Sequence, residues 1–505
     1  MLERLHEQSL LLILFGLAAL SMLLPASHAL IIGDLVVARS FFYTSGLALA
    51  LLVLIGLARG PRGARSHRGD LGALMALLST FVLLPVLLAI PFYDALRTTT
   101  FLNAYFEMVS SLTTTGATLF DPARLPPSLH LWRAQVGWMG GLLIWVAAAA
   151  IMAPLSLGGF EVTAAVSHNV GTTRLDRFLR AGAVRRVQTS ALRLGPVYAG
   201  LTAALWLLLI LGGDEPLVAL CHAMSTLATS GISPIGGIQY ANSGIGGEMV
   251  IFLFLLFALS RITFASDTAV ARHGFWKDPE FRIGLAIVVA VPTLMFLRHW
   301  LAALEVSADG DATIGFRALW GGLFTVLSFL TTTGFESADW DAAQRMSGLH
   351  TPGMILMGLA MVGGGVATTA GGVKLLRVFA LYLAGLREME RLVHPHSVAG
   401  SGSRTSRIRR HGAFQAWISF MLFAMTLAAA TAILAGLGTS FENSMLLSTA
   451  ALSTTGPLIS LAAETPVDLI TLDPWSKGVL CAVMVLGRLE LLAIIALLNR
   501  NLWRD

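Results

Sequence analysis

The fold is decided by a short stretch, Ser111-Leu112-Thr113-Thr114-Thr115-Gly116, because it occurs four times along the chain. The other copies are Thr226-Leu227-Ala228-Thr229-Ser230-Gly231, Phe329-Leu330-Thr331-Thr332-Thr333-Gly334 and Ala451-Leu452-Ser453-Thr454-Thr455-Gly456. Each copy ends a short amphipathic run that follows one long apolar segment and precedes another. Internal repeats of this kind indicate tandem copies of one structural unit.

The composition is that of a membrane protein. Hydrophobic residues make up 55% of the 505 residues and charged residues 12%, about half of the roughly 25% that is usual in soluble domains. Apolar runs recur from Leu10 to Leu498, and they predict several bilayer spans. The two cysteines, Cys221 and Cys481, support neither a disulfide framework nor a cysteine-based zinc site.

The amphipathic run before each turn is too short to cross a membrane. In the first copy it covers residues 101–112, between apolar helices expected at residues 71–92 and 130–155. Three helical turns cannot cross a hydrocarbon layer of about 30 Å, so each run is predicted to be a re-entrant pore helix. Irregular backbone at membrane depth must be buried in protein or line a watery cavity. We therefore expect the four turns to surround one axis.

The chemistry that such turns serve is cation coordination. Rings of backbone carbonyls replace the hydration shell of an ion, and glycine allows the positive φ that turns carbonyls inward. Pore helices that end at the turns direct the negative ends of their dipoles toward the axis. The predicted filter residues are Thr114, Thr115, Gly116, Thr229, Ser230, Gly231, Thr332, Thr333, Gly334, Thr454, Thr455 and Gly456. The copies are unequal at Ala228 and Pro457, so selection for potassium over sodium is expected to be less sharp than in four identical loops.

A second glycine-rich stretch interrupts a helix of the third repeat. It reads Gly363-Gly364-Gly365-Val366-Ala367-Thr368-Thr369-Ala370-Gly371-Gly372. Each glycine costs about 1 kcal/mol relative to alanine in a helix, so this helix is predicted to unwind at membrane depth. The Walker pattern of a phosphate-binding loop does not fit. A movable barrier and a static packing kink remain as alternatives.

Two charged residues stand inside predicted membrane segments. Arg488 lies near the middle of the last span, where a charge costs about 2.5 to 3.5 kcal/mol. The alternatives for Arg488 are a role in the ion path and simple pairing with Glu490 or with a helix terminus. Glu107, on the first pore helix, is expected to support the filter through hydrogen bonds.

Basic residues predict the orientation, because loops rich in lysine and arginine stay in the cytoplasm. Basic residues are dense in the connections near residues 59–68, 174–186, 272–282 and 387–410, whereas residues 212–247 and 436–474 contain no lysine or arginine. The former are predicted to be cytoplasmic and the latter external. The N-terminal apolar segments, near residues 9–24 and 41–57, are predicted to be a retained helical hairpin and not a cleaved signal.

The sequence resembles the TrkH family within the TrkH/KtrB/HKT superfamily of potassium transporters. The likeness rests on the four turns, on Thr113-Thr114-Thr115-Gly116-Ala117-Thr118 above all, and covers nearly the whole chain. The resemblance implies potassium as the transported ion, a homodimer with one pore in each subunit, and a cytosolic TrkA-like nucleotide-binding regulator. It also implies a gate beneath the filter, formed by Gly363, Gly364, Gly365, Gly371, Gly372, Lys374 and Arg488.

The predicted fold is an all-α polytopic membrane protein with four tandem helix, pore loop, helix repeats in a pseudo-fourfold arrangement. The units are an N-terminal transmembrane hairpin with a cytoplasmic loop (1–70) and repeats at 71–190, 191–282, 283–412 and 413–505. We expect a potassium uptake pore in the bacterial inner membrane, surrounded by lipid, that is not an enzyme and has no cofactor and no nucleic-acid partner. An ion-coupled secondary symporter is the alternative.

Overall fold

The computed structural model describes residues 10–59, 70–155, 157, 182–260, 278–303, 312–347, 352–393, 404–463 and 467–498. Regular secondary structure within these ranges is entirely helical, which confirms the all-α prediction. Most of the arginine-rich connections that predict the orientation, and the connections between repeats, lie outside the described residues. The boundaries between the repeats therefore stay predictions.

Seven helical segments in the described part of the chain are long and apolar enough to cross a membrane. They are Leu10–Ile31, Leu35–Ala58, Gly72–Leu96, Pro127–Met152, Ala183–Leu211, Pro279–Leu297 and Gly412–Gly436. Shorter apolar helices, such as Pro216–Ala228, lie between them. This alternation of long and short helices is what the repeats predict.

The N-terminal hairpin is formed by α1 (Leu10–Ser21), α2 (Leu23–Ile31) and α3 (Leu35–Arg59). Gly33 turns the chain with a φ of 83°, and the Asp34 carboxylate accepts a hydrogen bond from the Val37 N–H (3.1 Å) at the start of α3. The hairpin also contacts the first repeat, since the Gln135 side chain donates to the Ser21 carbonyl (2.8 Å). Both helical arms are longer than the sequence predicts.

The first two repeats have the predicted order of helices. The first contains α4 (Asp70–Leu96), α5 (Phe101–Leu112) and α6 (Pro127–Ala147), which continues as a π-helical turn, Ala148–Met152. The second contains α7 (Ala183–Leu211), α8 (Pro216–Ala228) and α9 (Gly244–Leu255). The short helix α5 begins where the Thr100 side chain accepts from the Asn103 N–H, and α8 begins at Pro216, both of which are ordinary helix starts.

The third and fourth repeats contain broken helices. The third consists of α10 (Pro279–Ala303), α11 (Ala312–Leu330), α12 (Trp340–Ser347), α13 (Pro352–Val362) and α14 (Leu375–Val393). The fourth consists of α15 (Arg404–Gly436), α16 (Phe441–Leu452), α17 (Leu458–Ala462), α18 (Pro474–Leu489) and α19 (Leu491–Leu498).

The helix before the third turn differs from the sequence prediction. With 19 residues, α11 is longer than the expected three turns and extends about 28 Å. The other short helices start at Thr100, Pro216 and Ser440, which cap or open a helix. Ala318 of α11 occupies the position that matches Thr100 and Ser440, so no capping residue stands there and the helix begins earlier, at Ala312.

Candidate functional site

The four turns share one unusual backbone conformation. The threonine two residues before each glycine is left-handed, with φ of 54° at Thr114, 50° at Thr229, 56° at Thr332 and 56° at Thr454. A β-branched residue resists positive φ. The same strained geometry at four matching positions shows that the four sequence copies are also four structural copies.

The glycines of the turns differ in one case. Gly116, Gly231 and Gly334 have φ of 73°, 65° and 82°, as predicted, whereas Gly456 does not adopt positive φ, so the prediction is wrong for the fourth copy. Pro457 follows Gly456 directly, and a proline restricts the backbone of the preceding residue. Gly456 is required for another reason, because a Cβ there would lie 2.1 Å from the Ala117 nitrogen.

The four turns contact one another in a closed cycle. A Cβ on Gly116 would lie 1.8 Å from the Ser230 carbonyl oxygen, and one on Gly231 would lie 2.2 Å from that of Thr333. A Cβ on Gly334 would meet the Pro457 ring at 3.0 Å. The cycle closes where the Gly456 N–H donates to the Thr115 carbonyl at 2.5 Å. The structure thus brings all four predicted filter segments together.

Threonine and serine side chains of the turns are buried in this cycle. They are Thr114, Thr115, Thr229, Ser230, Thr332, Thr333, Thr454 and Thr455. Backbone carbonyls and hydroxyl groups therefore concentrate in one small volume and form an oxygen-rich lining of the kind that coordinates alkali cations. Within the described ranges, no group of three or more His, Cys, Asp or Glu side chains is placed to hold a metal ion.

A side chain nine residues before the glycine supports three of the turns. The Glu107 carboxylate accepts from the Leu119 N–H (3.1 Å) and pairs with Arg133 (2.6 Å), which confirms the predicted support by hydrogen bonds. Further along the chain, His222 lies 2.9 Å from the Ser233 hydroxyl, and the Thr325 hydroxyl accepts from the Ser337 N–H (3.3 Å).

Sequence reasoning missed His222 and Thr325, although their common spacing from the glycines could have revealed them. The fourth copy has Leu447 at this position. Leu447 is buried, and the fourth turn is followed directly by Pro457 and α17.

Buried charges also connect one repeat with the next. Glu248 on α9 accepts from the Ser337 hydroxyl (2.7 Å), the Ala338 N–H (2.8 Å) and the Trp320 indole (2.9 Å) of the third repeat. Lys477 on α18 donates to the Asn103 side chain (2.9 Å) of the first repeat. The sequence did not predict a structural role for Glu248 or Lys477, because their partners are distant along the chain.

The glycine-rich loop, residues 363–374, separates α13 from α14. The helix ends at Val362 and resumes at Leu375, as the glycine content predicts. The loop returns to its own start, since the Val373 and Lys374 N–H groups donate to the Met361 and Val362 carbonyls at 2.9 Å. The loop is compact, and its two ends lie side by side at the helix break.

The loop lies directly against the turns. The Gly371 N–H donates to the Thr332 hydroxyl (2.7 Å), and the Thr229 hydroxyl donates to that of Thr369 (3.1 Å). A Cβ on Gly371 would lie 2.3 Å from the Thr454 hydroxyl oxygen. Three of the four left-handed threonines therefore touch the loop.

Two buried cationic side chains hold the loop. Arg488 donates to the Thr369 carbonyl (2.6 Å), and the Lys374 ammonium donates to the Ala370 carbonyl. Glu490 pairs with Arg377 at 2.6 Å and Arg488 donates to the loop, so the pairing of Arg488 with Glu490 is not observed. All predicted gate residues thus lie in the loop or next to it.

Comparison with known proteins agrees with this geometry. Residues 73–503 match the TrkH family, described as a cation transport protein. The Trk system potassium uptake protein TrkH of Salmonella typhimurium is 29% identical over 494 residues, 96% of each chain. That of Vibrio parahaemolyticus is 30% identical over 413 residues, 80% of each chain.

The fold agrees as well. The crystal structure of the potassium transporter TrkH from Vibrio parahaemolyticus superimposes with a TM-score of 0.79 and 26% identity over the full length of both chains. The apolar helices and the bacterial relatives identify a multi-pass protein of the bacterial inner membrane. The chain belongs to the TrkH family of cation transport proteins, as the four repeated turns predict, and not to a family of enzymes.

Proposed function

We propose that this protein takes up potassium across the bacterial inner membrane through a filter formed by the four turns. The observation that carries the proposal is the closed cycle of contacts among the turns, which gathers their carbonyl and hydroxyl oxygens in one place. A dehydrated cation needs such oxygens as replacement ligands. The relatives are named as potassium uptake proteins, which favours potassium as the ion.

The glycine-rich loop is proposed as the gate of this path. The proposal is supported by the hydrogen bonds of the loop to Thr229 and Thr332, which lie just after the pore helices α8 and α11. Arg488 and Lys374 add fixed positive charge at the same place, which opposes the passage of a cation. Moving this loop would open the path.

The family resemblance supports two proposed partnerships. One is a homodimer with a pore in each subunit, which light scattering of the purified protein in detergent would detect as two chains per particle. The other is a cytosolic TrkA-like nucleotide-binding regulator, which should change the flux when it is added to liposomes from the cytoplasmic side.

The decisive experiment combines growth and flux. Expression in a bacterium that lacks potassium uptake should restore growth at low external potassium, and the purified chain in liposomes should conduct potassium and rubidium down their gradients. Flux that requires strict stoichiometric movement of H⁺ or Na⁺ would instead support the symporter. Failure of both growth rescue and flux would refute the proposal.

A further inference from the structure

Two of the four left-handed threonines use their hydroxyl groups to hold the gate loop. Thr332 accepts a hydrogen bond from the Gly371 N–H (2.7 Å), and the Thr229 hydroxyl shares its one proton between the Ala228 carbonyl (2.8 Å) and the Thr369 hydroxyl (3.1 Å). Thr369 in turn donates to the Leu227 carbonyl (3.2 Å), at the end of α8. The loop therefore docks on side chains that belong to the proposed filter.

The contact between loop and threonines is close enough to exclude a ligand. Gly371 has space for no side chain, since a Cβ there would lie 2.2 Å from the Ser453 carbonyl and 2.3 Å from the Thr454 hydroxyl. A hydroxyl oxygen that accepts an N–H has one of its two lone pairs occupied. A cation at this end of the filter would need the same oxygens and the same space.

The charged side chains near the loop also disfavour a cation beside the docked loop. In the docked position, Arg488 on α18 and Lys374 at the end of the loop hold the carbonyls of Thr369 and Ala370. Glu280 on α10 accepts from the Val366 N–H (3.2 Å) of the same loop. Like charges repel strongly where water is excluded. A cation bound at the threonine hydroxyls would weaken the docked arrangement.

The loop is not tightly packed on every side. A small cavity borders the loop and is lined by Ala148 and Met152 of the π-helical turn together with Gly372, Lys374 and Arg488. A movement of the loop away from the turns would break its contacts with Thr229 and Thr332.

We propose that potassium at the inner end of the filter and the docked gate loop exclude one another, because both use the hydroxyl groups of Thr229 and Thr332. This inference rests on the proposed function and adds a regulation to it. The transported ion itself promotes release of the gate, and the Thr369 hydroxyl sets how much potassium is needed.

The test measures exposure of the loop as potassium is varied. In liposomes that contain the Ala367→Cys variant, the rate of maleimide modification is followed at rising potassium, with N-methylglucamine keeping the ionic strength constant. The native Cys221 and Cys481 are 0% and 5% exposed, so their background is low. The modification rate should rise with potassium.

The Thr369 side chain provides the matched comparison. Thr369→Val in the same background should lower the potassium concentration for half-maximal modification at least about fivefold, because it removes the neutral hydrogen bonds of the Thr369 hydroxyl with Thr229 and with the Leu227 carbonyl. Thr369→Ser should restore the parent value. Thr449→Val should leave it unchanged, since the buried Thr449 hydroxyl donates only to the Met445 carbonyl of its own helix (2.8 Å).

Three outcomes would overturn the inference. If the rate of maleimide modification does not change with potassium although potassium flux persists, potassium and the docked loop do not exclude one another. The proposed function is unaffected by that result. A potassium-dependent rate that Thr369→Val does not shift refutes the threonine contact as the shared element. Absence of potassium flux in the parent chain refutes the proposed function and this inference together.

Discussion

A threonine with positive φ is the most informative single residue in this protein. A left-handed conformation costs roughly 1 to 2 kcal/mol for a residue with a side chain, and glycine in its place would remove that strain. The chain keeps threonine at Thr114, Thr229, Thr332 and Thr454. The hydroxyl group is what glycine would lack, so we infer that the four hydroxyls have a role in the ion path.

At the same scale, the glycines that end the turns differ from glycines elsewhere. Gly116→Ala should abolish selective potassium flux, because the new Cβ would overlap the Ser230 carbonyl and the φ of 73° opposes alanine. Gly195→Ala, on α7, is the control because nothing lies within 4 Å of its Cβ position. Rubidium uptake into liposomes, with sodium as competitor, is measured for both variants. Equal uptake by the two variants would argue against the filter assignment.

The Glu336 carboxyl predicts a pH dependence of uptake. It lies in the loop between α11 and α12, on the predicted outer side, and Gln239 donates to it (3.3 Å). Burial, with a smaller effect from the charge of Asp341, raises its pKa to about 7. The group is neutral below that pH and negative above it, so raising external pH from 6 to 8 adds an anion near the mouth and should attract cations.

The expected result is potassium uptake that rises with external pH at subsaturating potassium, measured at low ionic strength where screening is weak. Glu336→Gln should flatten this profile. Glu442→Gln, which changes an exposed carboxyl at the start of α16, should keep it. A profile that is unaltered in Glu336→Gln would assign the pH dependence to another group.

Among the elements, the interrupted helix formed by α13, the loop and α14 depends on charged side chains from α18. Arg488→Gln should raise basal flux about tenfold, because it removes a charge-assisted hydrogen bond to the Thr369 carbonyl, typically worth about 1.5 to 3 kcal/mol. Arg345→Gln, an exposed change on α12, is the control. Unchanged or lower flux in Arg488→Gln would support a static kink.

Elements that neighbouring residues specify are predictable from the sequence. The short helix Phe101–Leu112, the four turns and the break after Val362 are all present, since amphipathic runs and glycine clusters act locally. The sequence does not predict the left-handed threonines, because threonine by itself disfavours that conformation. Only the contacts made by the folded chain explain why the strain is tolerated.

Contacts between distant residues explain the other differences. The sequence offers Glu490 as a partner two residues from Arg488, but the fold places Glu490 against Arg377 on α14 and Arg488 against the loop. Glu248 likewise has no obvious partner until the third repeat packs beside the second. Such pairings depend on topology and not on spacing along the chain.

For the whole molecule, the repeats are unequal copies that buried polar side chains hold together. Glu248→Ala should lower the melting temperature of the purified protein in detergent by several degrees, because it leaves three hydrogen-bond donors of the third repeat without their acceptor. A buried charged acceptor is worth about 1.5 to 3 kcal/mol. Glu442→Ala, at an exposed site, should have no effect. Equal melting temperatures would show that the repeats hold together without this contact.

The cyclic order of the turns has a consequence for biosynthesis. The fourth turn closes the cycle against the first, Gly456 on Thr115, so the part translated last supplies the final wall of the aperture. A nascent chain that has delivered only three repeats to the bilayer has one side without protein, and lipid occupies that side. Termination before the fourth repeat should therefore yield a fragment whose aperture lacks one wall.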